Sequence, residues 1–101
     1  MSEWPTFRYR DFYDLPRALV VEWEGVLYLL DSLFDHDLDD YEPFYVIYRI
    51  PDELAERIDE ISWTDLGHRS QRLGVVATDD VEFDESRRQR INPAVFEGLS
   101  E

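Results

Sequence analysis

The sequence predicts a small antiparallel α+β fold of about five strands, with one main helix and a short C-terminal helix. Three features predict it: two apolar runs joined by Glu24-Gly25, a third apolar run at residues 44–50, and an amphipathic stretch beginning at Asp52. Both faces of the joined runs are largely apolar. That predicts a central position covered on both sides, in a sheet that is strongly bent or closes into a partly open barrel. At 101 residues, positions 1–101 are expected to form a single domain with a radius of gyration of about 13 Å.

Each element has its own warrant. Residues 6–13, TFRYRDFY, alternate aromatic and arginine side chains at Phe7, Arg8, Tyr9 and Arg10, as a strand with one buried face does. The same alternation can stack nucleobases, a reading disfavoured on a chain this acidic. Asp14-Leu15-Pro16 interrupts the pattern. In RALVVEWEGVLYLLD, glycine accepts positive φ, so Glu24-Gly25 reads as a two-residue hairpin turn. The turn pairs Trp23 with Val26, Val21 with Tyr28 and Leu19 with Leu30 on one face. Val20, Leu29, Glu22 and Leu27 fall on the other.

Residues 44–50, FYVIYRI, give a third strand that Pro51 ends. In DELAERIDEI, Asp52 is the expected N-cap, and Leu54, Ile58 and Ile61 form the apolar stripe of one helix. Ser62 and Asp65 make a weak capping box for one more turn, which Gly67 should stop. Residues 73–78 predict a further strand, Asp79-Asp80 a tight turn, and residues 81–83 a short strand. Asn92-Pro93 opens a short final helix that Gly98 closes.

Charge narrows the function classes. The net charge is −14, and all ten basic residues are arginine. A field of that sign repels phosphate backbones and anionic lipid surfaces and draws in basic proteins. Neither nucleic acid nor membrane is therefore the expected partner. The chain has no cysteine, which rules out disulfides, thiol chemistry and cysteine-based zinc sites. Its N-terminus lacks the apolar run of a signal peptide, and no apolar stretch approaches the length of a membrane span. A cytoplasmic location is the expectation.

No catalytic motif is present. There is no serine in a nucleophile elbow and no glycine-rich phosphate loop, and the whole chain holds four glycines. Paired carboxylates perform acid–base chemistry only where one acid is held protonated in an apolar pocket. With 24 acids, proximity alone distinguishes no pair. The expectation is a non-enzymatic protein without a cofactor.

The stretch LLDSLFDHDLDDYEP, residues 29–43, carries six acids and His36 with no basic group. Asp35, Asp37 and Asp39 match the first three ligand positions of an EF-hand loop. The match then fails, because Asp40 stands where the loop needs glycine and Val46 where it needs glutamate. Looser divalent-cation binding through Asp35–Asp40 stays an alternative, with no metal ligand assigned. His36 and His68 are far apart in the chain, and a tight zinc site wants more than one such ligand.

The candidate site is instead a protein-binding face. Asp35, Asp37, Asp39, Asp40 and Glu42 would combine with Asp79, Asp80 and Glu82 from the second acidic segment, with Phe34 and Tyr41 as apolar anchors. Immunity proteins, antitoxins and DNA mimics present carboxylates in this way to a basic target. The competing readings are a merely hydrated surface that keeps a small domain soluble, or a subunit that self-associates. The arginines Arg87, Arg88 and Arg90 are expected to pair internally with nearby acids and to pack their stems on the sheet.

Overall fold

The turn at Glu24-Gly25 sets the register of the sheet. Both residues have positive φ, 53° and 81°, the geometry of the primed hairpin turn that matches strand twist. In the computed structural model, which describes residues 4–13, 15–85 and 89–97, this turn joins β2 (Leu15–Trp23) to β3 (Val26–Asp31). Trp23 pairs with Val26, Val21 with Tyr28 and Leu19 with Leu30, as the sequence predicts.

Around this hairpin lie β1 (Phe7–Tyr13), β6 (Phe44–Ile50) and β7 (Gln71–Ala77), giving one antiparallel sheet in the order β1-β2-β3-β6-β7. The sheet is open and does not close into a barrel. A separate two-stranded ribbon, β4 (Phe34–Asp35) and β5 (Asp40–Tyr41), interrupts the β3–β6 connection. The radius of gyration is 13.0 Å.

Both faces of the sheet are covered, by different segments. One face carries Phe7, Leu19, Val21, Tyr28, Leu30, Tyr45 and Ile47, and the C-terminal segment lays Val81, Ile91 and Phe96 against it. Phe96 stacks on Tyr28 with ring centroids 4.6 Å apart. The other face carries Val20, Leu29 and Ile50, covered by Leu54, Ile58, Ile61 and Leu66. Alternation in β1 now has a purpose. Phe7 and Tyr9 join the first core, while Arg8 bonds Asp59 at 2.8 Å and Arg10 stacks over Trp63 at 4.6 Å on the opposite side.

The helical layer differs from the expected single helix. Residues 52–61 form α1 (Asp52–Ala55) and then a 3-10 turn, Ile58–Glu60. Acids explain the break: Asp52, Glu56 and Glu60 would repel at i,i+4 spacing, and acids near a helix C-terminus oppose its dipole. Asp52 is not the N-cap. Pro51 takes that position, its carbonyl accepting from Leu54 N–H at 3.0 Å and Ala55 N–H at 2.9 Å. Leu54, Ile58 and Ile61 nonetheless all reach one core. Ser62 does cap α2 (Trp63–His68), accepting from Asp65 N–H at 3.2 Å, but Gly67 lies inside this helix and does not end it.

Two further expectations change. Pro16 lies within β2, paired with Phe12, so the ladder continues back toward the first turn; Asp14 is outside the described residues. Residues 81–83 form no strand on β7. The chain leaves β7 through a 3-10 turn, Thr78–Asp80, and crosses the sheet face, where Phe83 bridges Ile91 and Arg90 bridges Thr6. Val81 is spent on covering the core. At the end, Asn92 Oδ1 accepts from Ala94 N–H at 2.9 Å and opens α3 (Ala94–Glu97). Gly98 lies outside the described residues, as do Arg87 and Arg88. Arg90 donates to the Trp4 carbonyl at 2.6 Å, a structural role.

Among the described residues, no helix is long and apolar enough to cross a membrane.

Candidate functional site

Where β3 ends, the next residue is Ser32, polar yet 2% exposed. Its N–H donates to the Arg17 carbonyl at 2.7 Å and its hydroxyl donates to the Glu42 carbonyl at 3.0 Å. Arg17 Nη1 lies 3.4 Å from the same hydroxyl oxygen. Glu42 N–H donates back to the Leu33 carbonyl at 2.7 Å. These bonds close the neck of a projecting hairpin that spans residues 33–42.

Inside the hairpin, Phe34 pairs with Tyr41 and Asp35 with Asp40. The loop is shaped by the acids themselves. Asp35 Oδ1 accepts from Asp37 N–H at 2.9 Å and from Leu38 N–H at 3.3 Å, the turn that aspartate makes with its own backbone. Asp39 takes φ 53°, a left-handed conformation that aspartate tolerates better than most residues. Asp40 Oδ1 accepts from Tyr41 N–H at 2.7 Å. Part of this acidity is therefore structural.

An aromatic cluster stiffens one side. Phe34 meets Tyr41 edge-on at 5.2 Å and His36 edge-on at 5.1 Å, and the Arg17 guanidinium sits 4.8 Å over the Tyr41 ring. Three apolar side chains on the hairpin face solvent: Leu33 at 48%, Phe34 at 41% and Leu38 at 65% exposure. The motif thus sets exposed apolar side chains among carboxylates: Leu33 at the neck, Phe34 in β4 and Leu38 in the loop. Among the described residues, none of Asp35, Asp37, Asp39, Asp40, Glu42, Asp79, Asp80 and Glu82 forms an ion pair.

The second acidic segment leaves the sheet at the same end. Phe44 pairs with Ala77, and Thr78 ties itself to Pro43 twice, through N–H at 3.1 Å and hydroxyl at 3.3 Å to its carbonyl. Asp79 and Asp80 therefore begin one residue from the hairpin neck at Glu42-Pro43. Glu82 leads away from it, its carbonyl accepting from Asn92 N–H at 2.8 Å in the layer under the sheet.

One contributor is new relative to the sequence reading: Arg17 holds the neck. Asp31, one of the six acids of residues 29–43, is unlike its neighbours. Asp31 pairs with Ala18 and Val46 and is half-buried. Burial first, and the Asp11 carboxylate second, push its pKa above the usual aspartate value. Tyr45 is also pushed up, to about 12, chiefly by burial, with Arg17 opposing. Its hydroxyl donates to the Pro16 carbonyl at 2.7 Å.

The divalent-cation alternative finds no ligand set. Among the described residues, no three His, Asp or Glu side chains are grouped to hold a metal ion, and Asp35 already turns one oxygen onto its own loop. An open cleft of about 300 Å³ is lined by Val26, Arg49, Ile50, Pro51, Asp52 and Gln71, away from the hairpin. No protein-family model, curated protein or solved structure matches the chain.

Proposed function

We propose that this chain is a non-enzymatic binding domain whose projecting acidic hairpin takes hold of a basic protein, in the manner of an immunity protein, antitoxin or DNA mimic. The observation that carries the reading is the exposure of Leu33, Phe34 and Leu38 on a hairpin whose carboxylates, among the described residues, form no ion pair. Solvation alone asks for acids and gives no reason to present a phenylalanine and two leucines beside them. An interface asks for both, since apolar anchors supply affinity and charge supplies speed and selectivity.

Rigidity adds support. The neck bonds around Ser32 and the Asp35 turn hold the hairpin in one shape, so little ordering entropy is lost on docking. Asp79 and Asp80 extend the negative field at the neck, and Arg17 is engaged with Tyr41.

The test is retention of host proteins on immobilised full-length chain at low ionic strength, followed by a salt gradient. A basic protein released as salt rises is the expected result. An eluate with no basic protein at any salt concentration removes the proposal.

A further inference from the structure

The two edges of the sheet are finished differently. At β1 the outer side is taken at its start: Phe7 N–H donates to the Gln89 carbonyl at 3.1 Å, and just before the strand Ile91 N–H donates to the Pro5 carbonyl at 3.1 Å and Thr6 bridges Arg90; Arg8, Arg10 and Asp11 put charge along the rest. At β7, among the described residues, pairing occurs only on the side of β6. An edge of this kind presents a row of unpaired N–H and C=O groups, and folded proteins usually blunt it with proline, charge or a bulge.

On β7 those protections are confined to its first half. Arg72 supplies a charge, and a bulge falls opposite Ile47 and Tyr48. The second half, Gly74 to Ala77, keeps regular pairing with Phe44 to Ile47 and holds neither charge nor proline. Val75 is 54% exposed.

Gly74 stands beside the bulge and pairs with Ile47. Its φ is not in the left-handed region, and a Cβ built on it meets nothing within 4 Å. A strand glycine marks a bulge or a place where another backbone can come close. The charge map marks the same strand. From Leu66 to Thr78 the chain has no Asp or Glu, although it carries 24 of them overall.

We infer that β7 is the docking edge for a second copy of this chain, the two β7 strands pairing antiparallel about a two-fold axis to join two five-stranded sheets into one. Identical strands meeting antiparallel are self-complementary, as an isologous interface requires. Two bodies of charge −14 repel, and this acid-free edge is where they approach at least cost. A basic partner is drawn instead to the hairpin at the end of the sheet.

Sedimentation equilibrium of the full chain, in dilute buffer and in half-molar salt, tests this. The expected result is a mass approaching twice 12.1 kDa, reached at lower protein concentration in the high-salt buffer because salt screens the repulsion. Val75→Lys should restore the single-chain mass without lowering the Tm of the monomer. Hydrogen exchange adds an independent readout: β7 amides should gain protection as protein concentration rises. A single-chain mass at millimolar concentration in high salt overturns the inference. So does a dimer that forms with β7 amides unprotected, or β7 protection that appears only when a different protein is added. Dimerisation strengthens with salt whereas capture of a basic partner weakens, so failure of one is not failure of the other.

Discussion

Arg17 lies 4.8 Å above the Tyr41 ring, joining the start of β2 to the returning arm of the acidic hairpin. The guanidinium also reaches the Ser32 hydroxyl at 3.4 Å, so one arginine ties three segments that sequence separates by up to 24 positions. Arg17→Ala should loosen the neck at a cost of about 1 kcal/mol from the lost cation–ring contact. Hydrogen exchange should quicken at residues 33–42 and stay unchanged in β2 and β3. Equal exchange in both variants would mean that the ring contact is incidental.

Asp31 should limit stability at neutral pH. Its folded-state pKa is raised, so over the interval between the usual aspartate value of 3.8 and that raised value the folded chain binds more protons than the unfolded one. Stability contributed by this site therefore falls as pH rises through the interval and stays low above it. Asp31→Asn removes the penalty. Thermal melts at pH 7 should show a higher Tm for the variant, with the gain disappearing below pH 3.8. A variant that melts lower at pH 7 would contradict the sign.

Gly67 sits within α2, and a Cβ there would lie 3.6 Å from Leu29 Cδ2 and 3.6 Å from the Tyr48 ring, ordinary contact distances. Alanine costs less than glycine in a helix by about 1 kcal/mol. Gly67→Ala is therefore expected to stabilise the fold, read as a higher midpoint in urea with an unchanged slope. A lower midpoint would show that α2 needs to pack more closely than these distances indicate.

Net repulsion should be visible in the melt. Among the described residues, the ion pairs Arg8–Asp59 and Arg57–Glu60 are both well exposed and contribute little. With a net charge of −14, raising salt from dilute buffer to half-molar at neutral pH should raise the Tm. An unmoved Tm would indicate that the acids are better balanced than their pairing suggests.

What the sequence made legible was whatever a short-range rule governs. The Glu24-Gly25 turn gave the register of β2 and β3, and Pro51 gave the end of β6. Extending that same register one step past Ala18–Asp31 places Arg17 opposite Ser32, so the hairpin neck was readable in principle. Long-range choices were not. Nothing local tells Val81 to cover a face instead of extending β7, since the same alternation serves either use. Residues 52–61 have a helical stripe, but like-charge spacing divides it, a conflict between two local rules that packing resolves. At the site, the acids and Phe34 and Tyr41 stood out by composition. Leu33 and Leu38 did not, because an isolated leucine looks like core until its exposure is known.

The most direct test of the acidic hairpin as a binding site changes its exposed apolar side chains and leaves every charge in place. Host protein capture at low salt should be compared between the wild type and the Phe34→Ser/Leu38→Ser variant, after melts confirm that both are folded. The account predicts that the variant loses the basic partner although its net charge is still −14. Capture of the same proteins in the same amounts by both would reduce the hairpin to an ion exchanger and contradict the account.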